Sequence, residues 1–96
     1  MLNVNIEVIL FKDSDCGNCK LVQDEFFNNP PVCDIKICHV KHKNSVKISK
    51  QYNINSFPTV ILIDLDTNKE VCRFIGFIDS KTIDNKIKEY EAKSLV

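Results

Sequence analysis

The chain lacks tryptophan and contains few glycines and prolines, two and three respectively among 96 residues. Its longest apolar runs, such as Val8 to Phe11, are far shorter than the roughly 20 residues that a membrane-spanning helix needs. Thirteen basic and 13 acidic residues cancel, and the sequence has no basic stripe, acidic tail, internal repeat or low-complexity tract. We therefore expect neither a nucleic-acid partner nor a membrane association.

The N-terminus has no basic region followed by a long apolar one, so no secretory leader is evident, and the initiating Met1 favours the same interpretation. Hydrophobic residues make up 44% of the chain, enough for one small core. We expect a single domain over residues 1–96 and a monomer. Five cysteines is an odd number, which a fully paired secreted framework would not use. This favours a reducing compartment, and we expect the cytoplasm.

Hydrophobic periodicity divides the chain into seven segments. Alternating apolar residues up to Phe11 predict a strand, and residues 17–28 predict a helix that buries Cys19, Val22 and Phe26. Pro30 and Pro31 end that helix. A strand with Ile35, Ile37, Cys38 and Val40 comes next, and then a helix capped by Asn44 or Ser45, with Val46 or Ile48 facing inward. The run from Thr59 to Ile63 predicts a third strand, and a turn at Asp66-Thr67-Asn68 leads to a fourth strand over Glu70 to Ile75. The last segment predicts a helix capped by Ser80, with Ile83, Ile87 and Tyr90 along one face.

The resulting order, β-α-β-α-β-β-α, predicts a compact α/β fold. A helix separates the first two strands, so we expect them to be parallel with a right-handed crossover. A short turn separates the last two strands, so we expect a hairpin. A four-stranded mixed sheet with helices on both faces would bury the apolar stripes.

The segment Cys16-Gly17-Asn18-Cys19 lies between the first strand and the first helix. A helix N-terminus stabilises an anion, so a cysteine at the cap position is favoured as a thiolate. Cys19, one turn later, would point inward, and Gly17 keeps the approach to Cys16 open. The position predicts a redox dithiol, although Asp13 and Asp15 oppose a thiolate that Lys12 and Lys20 favour.

A zinc site is the main alternative. Its ligands would be Cys16, Cys19, Cys33 and Cys38, with His39 and His42 nearby. The second predicted strand disfavours a zinc site, because an extended chain would hold Cys33 and Cys38 apart. We expect Cys38 and Cys72 to be small core residues, and the two histidines to be a solvated pair at the end of the second strand.

Pro58, in the segment Ser56-Phe57-Pro58-Thr59, comes just before the densest predicted strand. Proline cannot donate to a ladder, so it marks the entry of that strand. A cis Phe57–Pro58 bond would let the Phe57 backbone pair with an extended substrate. A trans bond is the commoner alternative, because about 5% of X–Pro bonds in folded proteins are cis.

Taken together, Cys16-Gly17-Asn18-Cys19-Lys20, Phe57-Pro58-Thr59 and Gly76 resemble the thioredoxin-like superfamily in the same order over nearly the whole chain. The resemblance implies the thioredoxin-like fold and thiol–disulfide oxidoreductase activity on protein disulfides, with roles in electron transport and cell redox homeostasis. It implies that Cys16 is the nucleophile, Cys19 the resolving thiol and Pro58 the cis-proline, with Gly17, Asn18, Phe57 and Pro58 contacting the substrate. It also implies that no metal or organic cofactor is needed, and that a thioredoxin-reductase-type enzyme or glutathione supplies electrons.

The chain departs from the family pattern at several positions. Asp15 stands where thioredoxins have tryptophan, Asn18 where they have proline, and Leu10 where they have a buried acid. Glutaredoxins have a Gly-Gly-x-Asp segment that helps to hold glutathione, and here Gly76-Phe77-Ile78-Asp79 lacks one glycine. Asp79 is a candidate contact for a glutathione amine or a cap for the last helix. Thioredoxin and glutaredoxin subfamilies both stay open, as does a redox-inert peptide-binding module of the same fold.

Overall fold

The computed structural model describes residues 4–94; residues 1–3, Met1 among them, and residues 95–96 lie outside the described part. Its elements are β1 (Ile6–Lys12), α1 (Gly17–Asn28), β2 (Asp34–His39), α2 (Val46–Gln51), β3 (Thr59–Asp64), β4 (Lys69–Ile75) and α3 (Ser80–Ser94). The predicted order β-α-β-α-β-β-α is confirmed. None of the helices within residues 4–94 is long and apolar enough to cross a membrane.

The four strands form one mixed sheet in the order β2-β1-β3-β4. β1 runs parallel to β2, and β3 and β4 form an antiparallel hairpin, both as predicted. β3 also runs antiparallel to β1. In the central pair, Phe11 near the end of β1 lies opposite Thr59 at the start of β3. The segment that follows β1 and the segment that precedes β3 therefore meet at the same end of the sheet.

The two faces of the sheet are covered by different helices. β1 alternates between them: Val8 and Leu10 belong to a core cluster with α1 and α3, whereas Ile9 and Phe11 belong to a cluster that packs against α2. The first cluster contains the residues predicted for the helix stripes, namely Val22 and Phe26 of α1 and Ile83 and Ile87 of α3. The second takes Ile48 and Tyr52 from the α2 region. Helices on both faces are thus confirmed, and of Val46 and Ile48 it is Ile48 that packs inward.

Asp79 and Ser80 are both candidate caps of α3 in the sequence. Asp79, not Ser80, caps the helix, since Asp79 Oδ1 accepts the Thr82 N–H at 2.8 Å. The Ser80 N–H instead donates to Glu25 Oε2 at 2.7 Å, which ties α3 to α1. The side chain of Glu25 thus satisfies a helix-end donor that would otherwise need a local cap.

The end of β2 differs from the prediction, and the cap of α2 matches the prediction in position only. β2 ends at His39, one residue before Val40, although the Val40 N–H still donates to the Lys12 carbonyl at 2.9 Å. Ser45 occupies the cap position of α2 as expected, but its side chain makes no capping hydrogen bond.

Asp64 at the end of β3 should make the protein less stable in acid. Its Oδ2 accepts the Tyr90 hydroxyl at 2.6 Å, and its Oδ1 accepts the Asp66 N–H at 2.9 Å. The Tyr90 hydrogen bond is the main cause that lowers the Asp64 pKa from its ordinary value near 3.8. The N–H groups of Asp66 and Thr67 lower the pKa further, and burial opposes them. Because the folded-state pKa is the lower one, the stabilisation is present above pH 3.8 and is lost as pH falls through the folded value.

We therefore expect the urea midpoint to fall between about pH 5 and pH 2, and the fall to be smaller in Asp64→Asn. Circular dichroism during urea titration measures it. Asp66→Asn, at an exposed position in the same turn, is the matched control and should retain the wild-type fall. An equal fall in wild type and Asp64→Asn would contradict the prediction.

Candidate active site

Cys16 and Cys19 form a disulfide at the start of α1, with their Cα atoms 5.2 Å apart. Cys16 has extended backbone angles, φ −119° and ψ 104°, and occupies the N-cap position. Its Sγ accepts the Cys19 N–H at 3.1 Å, a bond that oxygen side chains usually make at helix caps. The sulfur of Cys16 thus faces the donor-rich end of the helix, where a negative charge is stabilised.

The two sulfurs differ in their access to solvent. Cys16 is half-buried, whereas Cys19 is 1% exposed and packs below it. Gly17 and Asn18, between them, are both exposed. The arrangement places one sulfur within reach of another protein and the other within reach of the first sulfur alone.

A cavity of about 290 Å³ adjoins the disulfide. Besides the two cysteines, it is lined by Lys12, Asp13, Ser14, Lys20, Gln23 and His39. Lys12 Nζ donates to Gln23 Oε1 at 2.5 Å, which anchors the ammonium beside the cysteines. The Asp13 carboxylate accepts the Ser14 N–H at 2.7 Å and lies 3.9 Å from Lys41 Nζ. Both predicted cations reach the cavity, whereas of the two predicted acids Asp13 does so and Asp15 does not.

His39 belongs to this cavity and is half-buried, so the prediction of a solvated pair with His42 was wrong for His39. The parallel register places His39 opposite Lys12, the last residue of β1, after which the chain continues to Cys16. The Lys41 N–H lies 3.2 Å from Nδ1, and Ser14 Oγ lies 3.2 Å from Nε2. The tautomer with its hydrogen on Nε2 satisfies both contacts, because Nδ1 then accepts from Lys41 and Nε2 donates to Ser14.

Leu10 fills the position where thioredoxins have a buried acid. It is fully buried in the core cluster beneath α1 and α3, two residues before Lys12 on the same face of β1. Among the residues that line the cavity beside Cys19, Lys12, Asp13, Lys20 and His39 carry titratable side chains.

The Phe57–Pro58 peptide bond is cis, as the resemblance implies. Pro58 lies at the same end of the sheet as the cysteines but does not line the disulfide cavity. Phe57 packs against the core cluster on the α2 face, and no backbone hydrogen bond outside helices and strands within residues 4–94 uses its N–H or C=O. This edge of the backbone can therefore pair with an added strand.

Gly76 joins the cis-proline segment to the end of β4. Its N–H donates to the Pro58 carbonyl at 2.9 Å, and its φ of +94° lies in the left-handed region that favours glycine. The neighbouring side chains of Ile75 and Phe77 are 68% and 54% exposed. They give the site an apolar rim on the side of β4.

The three remaining cysteines do not join this site. Cys38 is buried in the core as expected, whereas Cys72 is half-buried. Burial first, and then Asp84 and Asp34, raise the pKa of Cys33, and burial raises that of Cys72. Both thiols are therefore disfavoured as thiolates, the reactive form.

The four cysteines of the zinc alternative are also separated in space. Cys33 packs against the cluster on the α1 face of the sheet, whereas Cys38 lies in the cluster on the α2 face. Within the described residues, no group of three or more histidine, cysteine, aspartate or glutamate side chains is placed to hold a metal ion.

Comparison with known proteins agrees with this geometry. The family model for the thioredoxin-like domain matches residues 5–91. Chloroplastic thioredoxin z is 24% identical with a TM-score of 0.70, over 94% of this chain and 81% of that one. A thioredoxin-fold protein from Helicobacter pylori is 15% identical with a TM-score of 0.74, over 95% of this chain and 71% of that one.

Mitochondrial thioredoxin 3 from Saccharomyces cerevisiae is 23% identical with a TM-score of 0.66, over 91% of this chain and 80% of that one. No curated protein matches the chain. At these identities the solved structures show the shared fold, and the family match covers most of the chain. The chain belongs to the thioredoxin-like family.

Proposed function

We propose that this chain is a thiol–disulfide oxidoreductase that exchanges disulfides with protein substrates through Cys16 and Cys19. The observation that carries the proposal is the pair itself: a half-buried sulfur at a helix cap, disulfide-bonded to a buried one. The exchange uses the sulfurs alone and needs no metal or organic cofactor. A single domain working as a monomer in a reducing compartment such as the cytoplasm fits this chemistry.

The proposed reaction proceeds in two exchanges. The Cys16 thiolate attacks one sulfur of the target disulfide, forms a mixed disulfide and releases the other target sulfur as a thiolate, which takes a proton. The Cys19 thiol then loses its proton, and its thiolate attacks Cys16 Sγ. This step releases the second target sulfur and leaves the Cys16–Cys19 disulfide. The target gains two electrons and two protons, and the dithiol loses them.

We further propose that the substrate lies across Phe57, Pro58, Gly17 and Asn18. The unpaired Phe57 backbone supports pairing with an extended segment, and exposed Phe77 supports contact with apolar substrate side chains.

We favour a thioredoxin-reductase-type enzyme over glutathione as the electron donor, because the carboxylate that glutathione would contact is already used at the start of α3. Asp79, the candidate glutathione contact, already accepts the Thr82 N–H as the cap of α3. Hydrogen bonds from the Thr82 side chain first, and from this N–H next, lower the Asp79 pKa. Glutathione would therefore compete with a helix cap for this carboxylate. Regeneration of the oxidised protein by reductase and by glutathione, measured in parallel, separates the two donors.

An insulin assay tests the proposed activity. We expect the wild-type protein to accelerate the reduction of insulin disulfides by dithiothreitol, followed as turbidity from the released B chain. Cys33→Ser is the matched control and should accelerate it equally, because that thiol lies outside the site. Turbidity that rises no faster with the protein than without it would instead support a redox-inert peptide-binding module.

A further inference from the structure

A second cavity, of about 360 Å³, lies on the α2 face of the molecule. It shares no lining residue with the cavity beside the disulfide. Its apolar wall consists of Val40, after β2, Val46 at the start of α2, and Ile54, after that helix. Its volume is in the range of small-molecule sites, and branched aliphatic walls favour a branched aliphatic group.

Ser49, one of the residues that line the cavity, carries an unpartnered hydroxyl. Its residue is 6% exposed, and within residues 4–94 its Oγ has no hydrogen-bond partner. The backbone of Ser49 is fully used, since its N–H donates to Ser45 at 3.0 Å and its carbonyl accepts the Ile54 N–H at 3.0 Å. Buried hydroxyls are normally satisfied, and rotation about the Ser49 Cα–Cβ bond would turn this donor toward an oxygen atom bound in the cavity.

The charge of the cavity favours an anion. Lys50, next to Ser49, is its one cation, and none of the residues that line it is acidic. None of the ion pairs between described residues involves Lys50. The amides of Asn53 and Asn55 supply further neutral donors at the rim.

We propose that this cavity binds an aliphatic carboxylate, with the branched chain against Val40, Val46 and Ile54 and the carboxylate between Lys50 and Ser49. Two sources offer this chemistry: a free short-chain acid, and the C-terminal residue of a peptide. The site is separate from the dithiol and stands independently of the oxidoreductase activity.

Titration of the oxidised full-length protein, followed by amide chemical shifts in ¹H–¹⁵N spectra, tests the proposal with three probes. N-acetyl-leucine represents a peptide C-terminus, isovalerate represents a free acid, and N-acetyl-leucinamide keeps the side chain without the carboxylate. We expect saturable shifts around Ser49 and Ile54 with the first two probes and none with the amide. Tighter binding of N-acetyl-leucine assigns the site to a peptide terminus, whereas equal or tighter binding of isovalerate assigns it to a free acid.

Lys50→Gln should weaken carboxylate binding by about tenfold or more, the usual scale for losing a hydrogen bond to a charged group. Lys47→Gln, on the same helix but outside the cavity, is the control and should bind as the wild type does. Both variants should reduce insulin at the wild-type rate, which separates this site from the dithiol. No saturable shifts with either acid, equal binding of the amide, or unchanged binding in Lys50→Gln would overturn the proposal.

Discussion

Cys16→Ser is expected to abolish insulin reduction, down to the rate without protein. The serine hydroxyl is not ionised near neutral pH and does not attack a disulfide, and Cys19, 1% exposed, cannot reach the disulfide of another protein. The insulin assay, run beside wild type, measures the loss. Substantial residual activity in Cys16→Ser would place the nucleophile at another residue.

Cys19→Ser should behave differently, because the first exchange remains and the second is lost. Cys16 still attacks the target, but no inner thiol displaces it, so the mixed disulfide accumulates. Intact-mass spectrometry after incubation with a disulfide-containing protein should detect an adduct that dithiothreitol removes. Cys72→Ser controls for the other thiols and should form no lasting adduct. An adduct of Cys19→Ser attached at Cys33 would contradict the assigned roles.

Leu10→Ala is expected to lower the free energy of unfolding by about 2–5 kcal/mol, the range measured for buried leucines. Leu10 is fully buried on a central strand and packs into the cluster that joins the sheet to α1 and α3. The alanine would leave a cavity between these three elements. For a small domain this is a large part of the total stability of roughly 5–15 kcal/mol.

Urea denaturation of the oxidised protein, followed by circular dichroism, measures this loss. Leu21→Ala is the matched control, because Leu21 on α1 is 55% exposed and should change the stability by at most about 0.5 kcal/mol. Equal midpoints for Leu10→Ala and Leu21→Ala would show that position 10 is not a core position.

The elements of the fold could be predicted because their apolar residues follow helix and strand periods. Alternating apolar residues up to Phe11 correctly predicted β1, and the structure buries Val8 and Leu10 on one face of it and Ile9 and Phe11 on the other. The cap of α3 could not be predicted in the same way, since both Asp79 and Ser80 are able to cap a helix. The choice depends on Glu25, 55 residues earlier in sequence, which takes the Ser80 N–H.

In the candidate site, too, local features could be predicted from the sequence and features that depend on strand pairing could not. The cysteine pair is local in sequence, so its place between the first predicted strand and the first predicted helix was enough to predict two sulfurs at a helix start. The position of His39 is not local, because the pairing of β2 with β1 carries it to Lys12 and Ser14. Its place two residues after Ile37, on the same strand face, was the available signal, but that signal required the parallel register.

The Cys16–Cys19 segment follows β1 and Pro58 directly precedes β3, so both are attached to the two central strands of the sheet. This position affects how often local opening of the sheet would disturb them. β1 and β3 each have a strand on both sides, whereas β2 and β4 form the sheet margins. Marginal strands open more readily than central ones, and hydrogen exchange reports such openings residue by residue. Slowly exchanging amides should therefore concentrate in β1 and β3. Transient fraying at either margin would then leave the alignment of dithiol and proline intact.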